Sequence, residues 1–135
     1  METLVQHQYH SEDWKPHWLR LKHLLIPAIA IQDLYNLEDI ENGIASGQFQ
    51  LWPGTKSIMI TEVVRYPQKS IMNLLFCGGN AEELVDMLPE FERFATFVGC
   101  SRLYGGGRKG WRRFLKKYGF EEEHMIRKEL EVNYE

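Results

Sequence analysis

A chain of 135 residues, 44% hydrophobic and 26% charged, has the composition of one soluble globular domain over residues 1–135, large enough to bury a core without staples. Its formal net charge of −3 argues against general nucleic-acid affinity through overall charge. No run approaches the roughly 18 apolar residues of a membrane span. The N-terminus shows no basic stretch followed by an apolar one, and Cys77 and Cys100 lie at opposite ends of a predicted helix, which disfavours a disulfide. Two cysteines do not make a zinc set by themselves, so a reduced, cytoplasmic protein is the expectation.

Residues 1 to 10 are polar and read as an edge strand or a loose end. Ser11 or Asp13 can cap a helix with Trp14, Trp18, Leu21 and Leu25 on one face; Pro16 is tolerable in its first turn, and Pro27 ends it. A second helix starts at Asn36, turns Leu37, Ile40 and Ile44 inward and stops at Gly47. The pattern then changes to strands. Gln48 to Trp52 alternates, Pro53-Gly54-Thr55 turns, and Ser57 to Tyr66 places Ile58, Ile60, Glu62, Val64 and Tyr66 on one side.

The stretch from Ser70 to Val98 organises the rest. Ile71 to Phe76 is an apolar run fit for a buried strand, and Cys77-Gly78-Gly79 is expected to break it. Asn80 caps a helix, Glu83 completes an N-terminal box, and Leu84, Met87, Leu88, Phe91, Phe94, Ala95 and Val98 form one face. Pro89 kinks or splits that helix. A strand, a glycine turn and a helix N-terminus together favour an anion, although a glycine pair alone is a poor motif. A short strand at Ser101 to Tyr104 follows. Next comes an amphipathic helix with Trp111, Phe114, Leu115 and Tyr118 inward, then a last strand centred on His124, Met125 and Ile126. The order is two helices, hairpin strands, then strand-helix-strand-helix-strand, a mixed α/β sheet.

With Ile60-Thr61-Glu62-Val63, Tyr66-Pro67, Cys77-Gly78-Gly79-Asn80, Glu83-Leu84, Gly107-Arg108-Lys109-Gly110-Trp111 and Tyr118-Gly119-Phe120 in this order, the chain resembles the GNAT (Gcn5-related N-acetyltransferase) fold. The likeness is greatest to the short GNAT-like proteins of bacteriophages. It implies that Gly78, Gly79, Asn80 and Ala81 cradle the pyrophosphate of acetyl-coenzyme A (or coenzyme A), with Arg108 and Lys109 as further phosphate contacts. It also implies that the pantetheine arm lies between the splayed strands Ser70–Phe76 and Ser101–Tyr104, and that an amine substrate enters from the opposite side. Phe76 stands where the family has Gln or Arg, and Leu115 where it has a tyrosine acid. A second reading follows from those departures: a fold that has lost catalysis and serves as a virion-associated or protein-interaction component.

Each candidate side chain has a functional and a structural reading. Glu62, mid-strand, is a general base or a satisfied carboxylate near Arg65 or Arg102. His124 is a second base, an orienter of Glu62, or simply solvated. His7, His10 and His17 lack a ligand pattern for zinc, so no metal is expected. The helix Arg108–Lys117 carries Arg108, Lys109, Arg112, Arg113, Lys116 and Lys117, a surface for an acidic protein partner or the solvated back of an amphipathic helix. Nucleic acid is a distant third partner. Cys77 reads as a small buried hydrophobe.

Overall fold

The computed structural model describes residues 13–107 and 109–131. Helix α1 (Trp14–Leu21) continues through a 3₁₀ turn (Lys22–Leu25) into a short α2 (Ile26–Ile29). Pro27 therefore does not end the helical stretch: it sits in the first turn of α2, where its missing N–H is no loss. The Ser11 alternative for the first cap lies outside the described residues, and Asp13 stands at the N-cap without a side-chain cap bond.

Helix α3 (Leu37–Ser46) starts and stops at the expected residues. Asn36 Oδ1 accepts from Asp39 N–H at 2.8 Å and Asp39 Oδ2 from Asn36 N–H at 2.9 Å, while Gly47 closes the helix at φ 84°.

Four strands follow in the sheet order β1-β2-β3-β4: β1 (Phe49–Pro53), β2 (Ser57–Arg65), β3 (Ser70–Gly79) and β4 (Cys100–Gly105). β1–β2 and β2–β3 are antiparallel, and β3–β4 is parallel. Between β3 and β4 run α4 (Ala81–Asp86) and α5 (Leu88–Phe97), one predicted helix split at Met87 with Pro89 in the first turn of the second half. Helix α6 (Lys109–Lys116) follows β4.

Both sheet faces are covered. On one, Trp18, Leu21, Leu25, Ile40 and Ile44 pack on Phe49, Leu51, Ile58, Ile60 and Phe76. On the other, Leu84, Leu88, Phe91, Phe94 and Ala95 pack on Trp52, Met59, Met72 and Leu74. A buried relay fixes the β1–β2 register: Trp52 Nε1–H donates to Thr61 Oγ1 at 2.9 Å, and the Thr61 hydroxyl donates to Gln50 Oε1 at 2.7 Å.

The central strand differs from expectation in two ways. It does not break at Cys77-Gly78-Gly79 but stays paired with β2 to the Ser57↔Gly79 position. It also carries a bulge, since Ile60 faces Phe76 while Thr61 faces Leu74, leaving Leu75 over. A bulge turns two successive side chains to one face and bends its strand. Accordingly Leu75 and Phe76 both join the first core, whereas Leu74 and Cys77 join the second.

The expected last strand at His124 to Ile126 does not form. Residues 120–131 carry no strand or helix, and Met125 and Ile126 are 96% and 98% exposed. Only Phe120 at the start of this segment packs on the second core.

Candidate functional site

Strands β3 and β4 stay paired from Ser70↔Cys100 to Leu74↔Gly105 and no further. β3 continues for five more residues to Gly79 with no strand on that side among the described residues, while the chain after Gly105 turns away into α6. A cleft of about 560 Å³ opens where they part. Its floor is Leu74 to Gly79; Ala28, Ile31 and Leu34 form one wall, and Gly106, Gly107, Trp111 and Phe114 the other. Alternate backbone N–H and C=O groups on the freed edge of β3 are the polar groups a strand partner would otherwise use.

Gly78, Gly79 and Ala81 all line this cleft. The two glycines also have structural reasons to be glycine. A Cβ on Gly78 would stand 1.9 Å from the Leu24 carbonyl oxygen, and one on Gly79, at φ +105°, 2.2 Å from that of Lys56. Asn80 does not line the cleft, because its groups are engaged elsewhere. Its Oδ1 accepts from Glu83 N–H at 2.9 Å, and its own N–H donates to Ser57 Oγ at 3.1 Å.

Glu83 departs from the expected box. Its carboxylate crosses to the β1–β2 turn and accepts from Thr55 N–H at 3.0 Å and Lys56 N–H at 2.9 Å. The Ser57 hydroxyl, with those amides, holds the Glu83 carboxyl below its ordinary range. The first turn of α4 is thus already supplied with the negative charge of Glu82 and Glu83. The amides of Ala81 and Glu82 have no intrahelical partner, and of these two residues Ala81 lines the cleft.

Arg108 lies outside the described residues, and so does the Lys109 side chain; the Lys109 backbone opens α6. Of the remaining basic residues of that helix, Lys116 pairs with Glu122 at 3.1 Å and Lys117 lies over the Phe114 ring, while Arg112 and Arg113 are exposed. Tyr118 is 48% exposed, stacked obliquely on Phe114 and outside the cleft lining. Leu115, at 2% exposure, is the residue α6 buries most deeply.

Glu62 is half-buried, and its partner is neither Arg65 nor Arg102: Oε2 accepts from Gln48 Nε2–H at 3.0 Å. Arg65 instead donates to Ser70 Oγ and the Val98 carbonyl, and Arg102 to Tyr104 Oη. His124 is exposed in the segment after α6, where it sits near Glu122, and no contact joins it to Glu62. The structure does not bring these two together. His7 and His10 lie outside the described residues.

One residue was missed. Tyr35, like Leu34, lines the cleft and also a shallower depression formed with Asp39, Asn42, Ser46, Gln48 and Phe49, so it stands between the two. Its ring meets Phe49 at 5.9 Å and Phe76 at 5.6 Å, both edge-on. The signal was its position just before the Asn36 cap, where an apolar residue staples the helix start.

No protein-family model and no curated protein sequence matches the chain. Solved structures do. An aminoglycoside acetyltransferase, meta-AAC0020, from an uncultured soil metagenomic sample and bound to sisomicin, superposes with a TM-score of 0.62 at 10% identity, covering 87% of this chain and 90% of that one. The fold is GNAT-like. TTHA1254 of Thermus thermophilus shares it, with a TM-score of 0.59 at 15% identity over 89% of this chain and 94% of that one. A point mutant of TTHA1254 gives 0.60 at the same identity and coverage. At such identities the likeness concerns the fold, and chemistry must be argued from the site.

Proposed function

We propose that the chain is a GNAT-type N-acyltransferase that takes its acyl group from a coenzyme A thioester such as acetyl-coenzyme A. One observation carries the reading: β3 and β4 part after Leu74↔Gly105, and a cleft opens along the freed edge of β3. A pantetheine arm carries amides, which that edge can bond as a missing strand would. The backbone at Gly78, Gly79 and Ala81 approaches the diphosphate end, with Arg108 and Lys109 as the proposed cationic contacts. The bound thioester supplies the acyl group. Glu62 receives the proton of the incoming amine, directly or through water, on the side of Gln48 and the polar depression. Tyr35, between depression and cleft, hands a proton to the departing sulfur. Asp39 and Glu62 suit an amine acceptor, which is cationic before it reacts. His124, exposed beyond α6, is left as a solvated side chain.

A second reading, a non-catalytic GNAT-fold interaction component of the phage type, is favoured by a different observation. Among the described residues no carboxylate or histidine lines the cleft, and Leu115 occupies the place of the family's late-helix tyrosine. Arg112 and Arg113 would then serve an acidic protein partner.

Thermal unfolding with coenzyme A, acetyl-coenzyme A and a mononucleotide control separates the two. Ligand at about 100 times its dissociation constant adds roughly 2.7 kcal/mol. Gly106→Phe is the matching variant: Gly106 lines the cleft, has no positive φ, and an added Cβ meets no atom of the described residues within 4 Å. The expected result is stabilisation of the wild type that this plug removes. No shift at millimolar coenzyme rejects the transferase reading.

A further inference from the structure

The side chains of the cleft carry information about what fills it. Among the described residues, none that lines it is charged. Gln32, the carboxamide among its described lining residues, is consumed by the loop it belongs to: Nε2–H donates to the Ile29 and Tyr35 carbonyls at 3.0 and 2.6 Å, and Oε1 accepts from Leu34 and Tyr35 N–H, each at 2.8 Å. The described side chains of its walls are therefore apolar, Ala28, Ile31 and Leu34 from α2 and the loop after it and Trp111 and Phe114 from α6. Two of these are conspicuously wet, Ile31 at 55% and Leu34 at 81% exposure. Large apolar side chains grouped at the mouth of a cleft mark a binding surface more often than chance.

A pantetheine arm bonded along β3 uses the floor, and a two-carbon acetyl group adds little to cover either wall. The cleft, at 560 Å³, falls within the roughly 300–1,000 Å³ of sites that enclose a drug-sized ligand. The acceptor does not account for the apolar walls either, because the adjoining depression past Leu34 and Tyr35 adds Asp39, Asn42, Ser46 and Gln48 beside Phe49, polar groups that suit a cationic acceptor.

Resting on the transferase reading above, we infer that the donor is a thioester of an apolar acyl chain several carbons long, held between the Ile31–Leu34 wall and the Trp111–Phe114 wall, in preference to acetyl. The reaction keeps its balance: the amine nitrogen forms the new bond to the acyl carbon and the carbon–sulfur bond breaks; of the two protons the ammonium gives up, one leaves to solvent through Glu62 and the other makes good the proton that Tyr35 passes to the sulfur.

Each methylene moved from water into apolar surroundings is worth about a fourfold gain in affinity. Isothermal titration of the full chain with coenzyme A and its acetyl, butanoyl and octanoyl thioesters, with sodium octanoate as a further arm, tests the inference. Octanoyl-coenzyme A is expected to bind at least about tenfold more tightly than acetyl-coenzyme A, with butanoyl between, allowing for an open cleft that buries only part of the chain. Leu34→Glu, at a position the fold leaves exposed, is expected to reduce that preference. Equal affinities for acetyl and octanoyl thioesters, with coenzyme A still bound, overturn the chain-length inference alone. Octanoate binding as tightly as its thioester also overturns it, by showing a site for free amphiphiles. If no thioester and no coenzyme A binds, the transferase reading itself falls.

Discussion

At the scale of single residues, two glycines that look alike in the sequence do different work from a third. Gly78 faces the backbone carbonyl of Leu24, which cannot rotate aside, whereas the place beside Gly106 is open. Gly78→Ala is therefore expected to cost 2 kcal/mol or more, as overpacking against fixed backbone does. Gly106→Ala should stay within about 0.5 kcal/mol of wild type, as surface changes do. Urea denaturation of the two variants side by side reads the difference. Tyr35→Phe keeps the ring contacts with Phe49 and Phe76 and removes only the hydroxyl. On the transferase reading it should lower kcat by about 100-fold, the lower end of general acid–base assistance, with the unfolding midpoint unchanged. A full-rate Phe variant would remove Tyr35 from the chemistry. None of this was visible in the glycine pair itself: composition announces a turn, but the collision with Leu24 comes from an element some fifty residues away.

At the scale of elements, caps and stops were legible because they are local. Asn36 with Asp39, Gly47, and Pro89 at the break between α4 and α5 each act within one turn of their own position. Glu83 shows where local reasoning ends. An Asn-x-x-Glu box predicts that the carboxylate returns to the cap, yet the β1–β2 turn offers two free amides and takes it instead. The consequence is a pH dependence with a definite sign. The folded-state pKa of Glu83 is depressed, through the Ser57 hydroxyl first and then the Lys56 and Thr55 amides. Its contribution is thus present above the ordinary carboxylate pKa and is lost as the pH falls through the lower, folded value. Glu83→Ala should cost about 1–2 kcal/mol at neutral pH, the worth of hydrogen bonds to a charged acceptor left unmade. The gap to wild type should shrink as acid protonates the wild-type carboxyl. Chemical denaturation of both proteins from pH 7 downward follows it, and a gap that does not change with pH would assign the loss to packing.

At the scale of the whole molecule, β2 read as alternating and is buried on both faces, whereas the buried central strand was readable from the apolar run Ile71 to Phe76, since strands covered on both faces lose their alternation. The bulge at Leu75 was not, because one extra residue in an apolar run leaves the pattern looking continuous. Nor was the parting of β3 from β4, which creates the site and depends on where pairing stops. The last predicted strand failed for a related reason. A strand exists only with a ladder partner, and the apolar trio Met125, Ile126 and Leu130 carries propensity without one. Past Phe120 this segment forms no ladder with the sheet among the described residues. Replacing both Met125→Lys and Ile126→Lys therefore removes almost no buried area, since the side chains are 96% and 98% exposed. The double variant is expected to unfold in urea within about 0.5 kcal/mol of wild type. A strand seated on the β4 edge with these residues packed inward would instead lose about 2–5 kcal/mol, the range for emptied apolar positions. Running the comparison at two protein concentrations adds a second reading. A loss that grows with concentration would place the segment against the open β4 edge of a neighbouring copy, and a loss independent of it would place it against its own.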